Sequence, residues 1–157
     1  MPATEDGTNK LLNFFLYGML RASESLGNPQ LFLRSVIEAG LRRFLFTDLP
    51  AFGNVPEDPT KACEAFTKAA DASGLLDGRD TTFRSDGDGV SAEIGDHCPY
   101  RRLCTVRHDE GRPIHCVRAS MLAEMLRIRL DADLDPKLNR FGRPCQITLT
   151  PSRWKGS

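Results

Sequence analysis

Four of the chain's five cysteines fall between residues 98 and 145. "DHCPYRRLC" carries Cys98 and Cys104, "PIHCVRA" carries Cys116 and "GRPCQIT" carries Cys145, a spacing of C-x5-C-x11-C-x28-C. Thiolates ligate soft and borderline metals well, so four converging in a reducing compartment would bind zinc or an iron–sulfur cluster. His97 and His115 each precede a cysteine, and either could replace a sulfur ligand. The sequence has no C-x-x-C knuckle, the strong signature of structural zinc; its irregular spacing and Cys98–Pro99 step are compatible with a [4Fe–4S] cluster. Zinc and the cluster both stand as expectations. From Cys98 to Arg118 five arginines (Arg101, Arg102, Arg107, Arg112, Arg118) face only Asp109 and Glu110. That local positive excess is expected to lower the thiol pKa values and favour bound thiolate. Two other readings stand beside metal binding: buried cysteines that never meet, and a dithiol redox switch. Cys63, in "TKACEAFTKAA", lies in a helical pattern and reads as a small buried apolar side chain.

The rest of the chain must position those thiols. Its 157 residues suit one domain, 1–157, and 40% hydrophobic with 27% charged residues is globular composition. Lys plus Arg and Asp plus Glu balance at 21 each, so net charge gives no basis for nucleic acid or an anionic membrane as partner. "MPATEDGTNK" has no apolar signal core, and the longest apolar run, "LLNFFLYGML", is too short to span a bilayer. A soluble cytoplasmic protein with reduced thiols is the expectation.

Residues 9–74 read as helical, with residues 1–8 expected to be flexible. "NKLLNFFLYGMLRASESLG" puts Leu12, Phe15, Leu16 and Met19 on one stripe, ending at Gly27. Asn28 and Pro29 cap and open a second helix carrying Phe32, Leu33, Val36, Ile37, Leu41 and Phe44. After the loop "TDLPAFGNVPEDP", Asp58 and Pro59 start a third with Ala62, Ala65, Phe66 and Ala69. Residues 80–150 change character. "TTFRS" and "VSAEI" flank "DGDG", a hairpin signal. "RLCTVRH" reads as a further strand, "IHCVRASMLAEMLRIRL" as a long helix, "DLDPKLNRFGRP" as a loop and "CQITLTP" as a closing strand. The fold class is α+β: N-terminal helices, a small antiparallel sheet, one long C-terminal helix and a final strand.

From "GDGVSAEIGDHCPY" to "CQITLTP" the chain resembles the 4-vinyl-reductase domain family, with Cys116 opening the long helix and "CQI" (Cys145 to Ile147) closing the motif. The helices from Asn9 to Gly74 fit that family's N-terminal half in order and length. The family is similar in fold to vesicle-tethering TRAPP subunits and to phenol-sensing domains of bacterial activators. The resemblance implies a homodimer through the N-terminal helices, with Phe14, Phe15 and Tyr17 at the seam. It also implies a buried pocket for a small apolar ligand between long helix and sheet, lined by Met121, Met125 and Phe83. The phenol sensors' zinc cysteines map onto Cys116 and Cys145. Their E-x-x-C motif has no counterpart in "DADLDPKLNRFGRP", so the remaining ligands would be Cys98 and Cys104.

Three functional classes follow: a metal-binding small-molecule sensor domain, a cysteine-dependent enzyme like the family's thiazoline-hydrolase relatives, and an assembly subunit. The enzyme would need a thiol activated by His97, His108 or His115. Met121 and Met125 read equally as plain core.

Overall fold

A computed structural model describes residues 7–48 and 55–152, apart from the side chains of residues 7–9, 44 and 46–48. The chain runs α1 (Gly7–Glu24), α2 (Pro29–Asp48), α3 (Pro59–Ala72), β1 (Thr81–Asp86), β2 (Gly89–Ile94), α4 (Arg101–Asp109), α5 (Val117–Leu130), β3 (Leu134–Arg140) and β4 (Cys145–Pro151). It is α+β, with an antiparallel sheet of order β1-β2-β4-β3. Of the expected flexible segment 1–8, residues 1–6 lie outside the described residues, while Gly7 and Thr8 already belong to α1. Residues 49–54 of the expected Pro/Gly loop and the Phe44 side chain also lie outside them.

The helix starts follow their caps. Asn28 Oδ1 accepts from the Leu31 N–H at 3.0 Å, and Asp58 Oδ1 from the Lys61 N–H at 2.8 Å, each ahead of a proline at the first helical position. Between β1 and β2 the hairpin turns through Gly87 (φ 59°) and Asp88 with Asp86 opposite Gly89, the arrangement in which glycine supplies positive φ. Only glycine fits position 89, where a Cβ would meet the Leu149 carbonyl oxygen at 2.3 Å.

Two apolar clusters hold the elements together. One joins α3 and α5 to the inner sheet face: Phe66, Val90, Ile94, Leu122, Met125, Leu126, Ile147 and Leu149. The other joins α1, α2, α4 and the start of α5 through Leu16, Leu20, Leu33, Ile37, Leu103 and Val117. Leu41 and Met121 touch both.

Four expectations are corrected. "RLCTVRH" is helical, not a strand: Leu103, Cys104 and Arg107 are buried at helical spacing. Its first-turn donor is satisfied by Asn13 of α1, whose Oδ1 accepts from the Leu103 N–H at 2.9 Å while Nδ2 donates to Pro99 O at 2.8 Å. "DLDPKLNR" is an edge strand, not a loop; Pro136, opposite Leu149, is tolerated because only one side of an edge strand must donate. The C-terminal helix α5 is not the long one: its 14 residues fall short of the 18 of α1 and 20 of α2. It is instead the central one, buried nearly all round, including Arg118, Ser120 and Glu124. Finally, α1 turns Asn13, Leu16, Leu20 and Ser23 inward and leaves Leu12, Phe15 and Met19 of the expected stripe exposed, the polar Asn13 bonding across to Pro99 and Ser23 to Leu20 of its own helix.

Candidate metal centre

Four separate elements deliver the four thiols. Cys145 opens β4 opposite Ile94, the last residue of β2. Beyond Ile94 the chain turns at Gly95, whose N–H donates to Asp80 O at 3.0 Å; a Cβ there would lie 2.4 Å from the Asp80 Cβ. The segment carrying Cys98 is thereby held beside the start of β4. Arg101 braces both: Nη2 donates to Gly95 O and Nη1 to Gly142 O, each at 3.0 Å, and Nη2 lies 3.7 Å from Cys145 Sγ. Cys104 is on the buried face of α4. Cys116 is the N-cap of α5, its sulfur accepting from the Ala119 N–H at 3.4 Å. All five cysteines are unpaired thiols.

Every pair among Cys98, Cys104, Cys116 and Cys145 lies within electrostatic reach. Burial pushes the Cys104 thiol up most, and the charges of Cys116, Cys98 and Cys145 push it further. Burial raises Cys116 to about 12; the Ala119 N–H pulls back, Cys98 and Cys145 push up, and Arg118 lowers it. Burial also raises Cys98 against the Tyr100 N–H and Arg118, with Cys145 adding to the rise. The expected lowering of the thiols by neighbouring arginines is thus reversed for these three, since desolvation outweighs the cations. Among the described residues, no three His, Cys, Asp or Glu side chains stand close enough to grip a single metal ion without moving.

Arg118, in the first turn of α5 two residues past Cys116, is 1% exposed. Its charge reaches Cys98, Cys116 and Tyr100. Among the described residues Nη1 is buried without a hydrogen-bond partner, and Nη2 has only Thr81 Oγ1 at 3.4 Å. Nothing in the spacing of the cysteines pointed to Arg118. The signal was an arginine two positions after the helix-opening Cys116, in a helix apolar on several faces.

Each histidine that precedes a cysteine bonds within the fold through its Nδ1. His97 Nδ1 bonds the Asp80 carboxylate, and His115 Nδ1 lies 2.8 Å from Gln30 Oε1 on α2. His108 packs on Phe141 with ring centroids 5.2 Å apart. Cys63 is 0% exposed in the core, and burial raises its thiol to about 12, as suits an inert apolar side chain.

Between α5 and the sheet lie two of the three residues expected to line a pocket. Met125 is fully buried in the core there, and Phe83 packs on that core from β1. An apolar cavity of about 250 Å³ lies among the helices, where Leu16, Ile37, Phe66, Tyr100, Val117 and Met121 help line it. Tyr100 and Val117 adjoin the cysteine cluster, so cavity and cluster share a wall. The Tyr100 hydroxyl donates to Met121 Sδ at 3.5 Å; burial, then the Cys98 charge, raises its pKa to about 12.

Comparison with known proteins finds no matching family model, no matching curated protein and no matching solved structure.

Proposed function

We propose that Cys98, Cys104, Cys116 and Cys145 hold one inorganic centre, a zinc ion or a [4Fe–4S] cluster, in a small-molecule sensor domain of the cytoplasm. The observation that carries the reading is the gathering of these thiols: four elements, spread over 48 residues of sequence from 98 to 145, bring sulfurs within each other's field. Thiols buried at that density repel one another once ionised, and a metal cation reverses that repulsion. The resemblance to the 4-vinyl-reductase family supports the same reading through Cys116 and Cys145. The sensing half rests on the apolar cavity, whose Tyr100 wall backs onto Cys98. An occupant touching Tyr100 would act on the residue from which α4 starts.

The test is elemental analysis with an absorption spectrum on anaerobically purified protein. Iron and acid-labile sulfide in a brown protein identify the cluster; stoichiometric zinc in a colourless one identifies the mononuclear site. Cys116→Ser should lose metal and stability together, because assembling the site is coupled to folding. Cys63→Ser should keep its metal while losing about 1–3 kcal/mol of stability, the cost of a buried hydroxyl without a partner. Freely titrating thiols in metal-free protein would end the reading, and a reversible disulfide among them would put the redox switch in its place.

A further inference from the structure

We propose that Arg118 is the built-in counter-charge of the thiol centre, an inference that rests on the metal-centre reading above. Among the described residues two arginines are almost fully buried, and they differ in their partners. Arg107, 1% exposed, donates from Nη2 to Glu24 Oε1 at 2.6 Å and from Nε to Pro113 O at 2.8 Å. Arg118 is as buried but has no ion pair among the described residues and one long contact to the Thr81 hydroxyl. An unpaired buried cation is among the costlier things a fold can hold, and native interiors rarely keep one without an anion.

The missing anion is supplied by the centre itself. Four thiolates outweigh a zinc dication, and equally the dication of an oxidised [4Fe–4S] core, so either occupant leaves net negative charge on the sulfurs. Arg118 is placed for that charge: it sits in the first turn of α5, two residues past Cys116, and its Nη2 reaches Thr81, which pairs with Ile94, the residue opposite Cys145. Arg101 also approaches a sulfur, Cys145 at 3.7 Å, but its guanidinium is committed to two backbone carbonyls and lies 3.7 Å from Asp96 Oδ1. Among the described residues, Arg118 is the nearly fully buried arginine that has no ion pair. A guanidinium suits the task because it stays charged when buried and spreads its donors over a planar fork.

Arg118 is therefore a positioning and charge-compensating residue, not a ligand. The test compares Arg118→Met and Arg118→Lys with the parent by competition for zinc against a chromophoric chelator, or by reconstitution and redox titration if the centre is a cluster. Arg118→Met should bind zinc about tenfold or more weakly, the range seen for outer-shell partners of metal ligands. In a cluster the same change should make the midpoint potential more negative, because reduction adds charge that nothing then balances. Arg118→Lys should recover most of either effect. In the metal-free state Arg118→Met should melt no lower than the parent, since it removes a charge that has no partner there.

Unchanged affinity or potential in Arg118→Met would overturn the proposal while leaving the metal centre standing. So would a melting point lowered equally with and without metal, the mark of a merely structural arginine. A parent protein that takes up neither zinc nor a cluster would overturn both.

Discussion

At Cys104 and Cys116 two effects compete, and their balance sets how the metal-free protein responds to pH. Burial raises both thiols, and the arginines nearby only partly offset it. Below the ordinary thiol value of 9.0 these groups are protonated in both folded and unfolded chains and contribute no pH dependence. Above it the unfolded chain gives up protons that the folded chain keeps, so stability falls as pH rises toward 12, where Cys116 ionises in place. Metal-free protein should therefore lose denaturant resistance as pH rises beyond 9.0, whereas metal-loaded protein, its ligand protons already released, should lose much less. Parallel denaturant titrations at neutral and alkaline pH, with and without chelator, measure the difference. Equal slopes in the two states would mean that metal does not reach these thiols.

The elements around the site depend on contacts that cross the chain. Asn13 is 3% exposed and ties α1 to the start of α4 by bonds to Pro99 and Leu103, the stretch between Cys98 and Cys104. Asn13→Ala leaves a buried N–H and a buried carbonyl without that partner, and should cost about 1–3 kcal/mol for each group so orphaned. The loss should appear as a lower denaturant midpoint together with faster metal release to a chelator; a lower midpoint with unchanged release would mean that α4 does not carry the site. The same bonds explain what the sequence hid. The helix caps at Asn28 and Asp58 and the Gly87 turn were legible because their chemistry lies within a few neighbouring residues. The α4 segment was not: β-branched Thr105 and Val106 suggest a strand, and the residue completing its first turn lies some 90 positions away. Pro136 and Asn139 likewise disguised β3, whose strand identity comes from pairing with β4. The types and crowding of the cysteines raised the expectation that they meet, with Arg118 counted only among the nearby arginines; that it is buried without an ion pair became visible only with its surroundings.

At the scale of the whole molecule, the helical side exposes apolar surface that a soluble monomer seldom leaves bare. Leu11 is 57%, Phe14 70% and Phe15 57% exposed on α1, and Leu31 58% on α2. Tyr17, the third seam residue expected from the sequence, bonds Glu110 Oε1 at 2.8 Å. Under the homodimer reading, Phe14→Glu combined with Phe15→Glu should convert a dimer into a monomer in sedimentation experiments and leave metal content unchanged. A parent chain that sediments as a monomer at micromolar concentration would remove the second copy from the account. Among the described residues no helix is long and apolar enough to cross a membrane.

All three scales converge on the sulfurs of Cys98, Cys104, Cys116 and Cys145. X-ray absorption at the metal edge of anaerobically purified protein reads their coordination most directly. The account predicts a shell of sulfur alone, at about 2.3 Å for zinc and with an iron–iron component if the centre is a cluster. A shell dominated by nitrogen or oxygen, or a protein with no metal to measure, would contradict it.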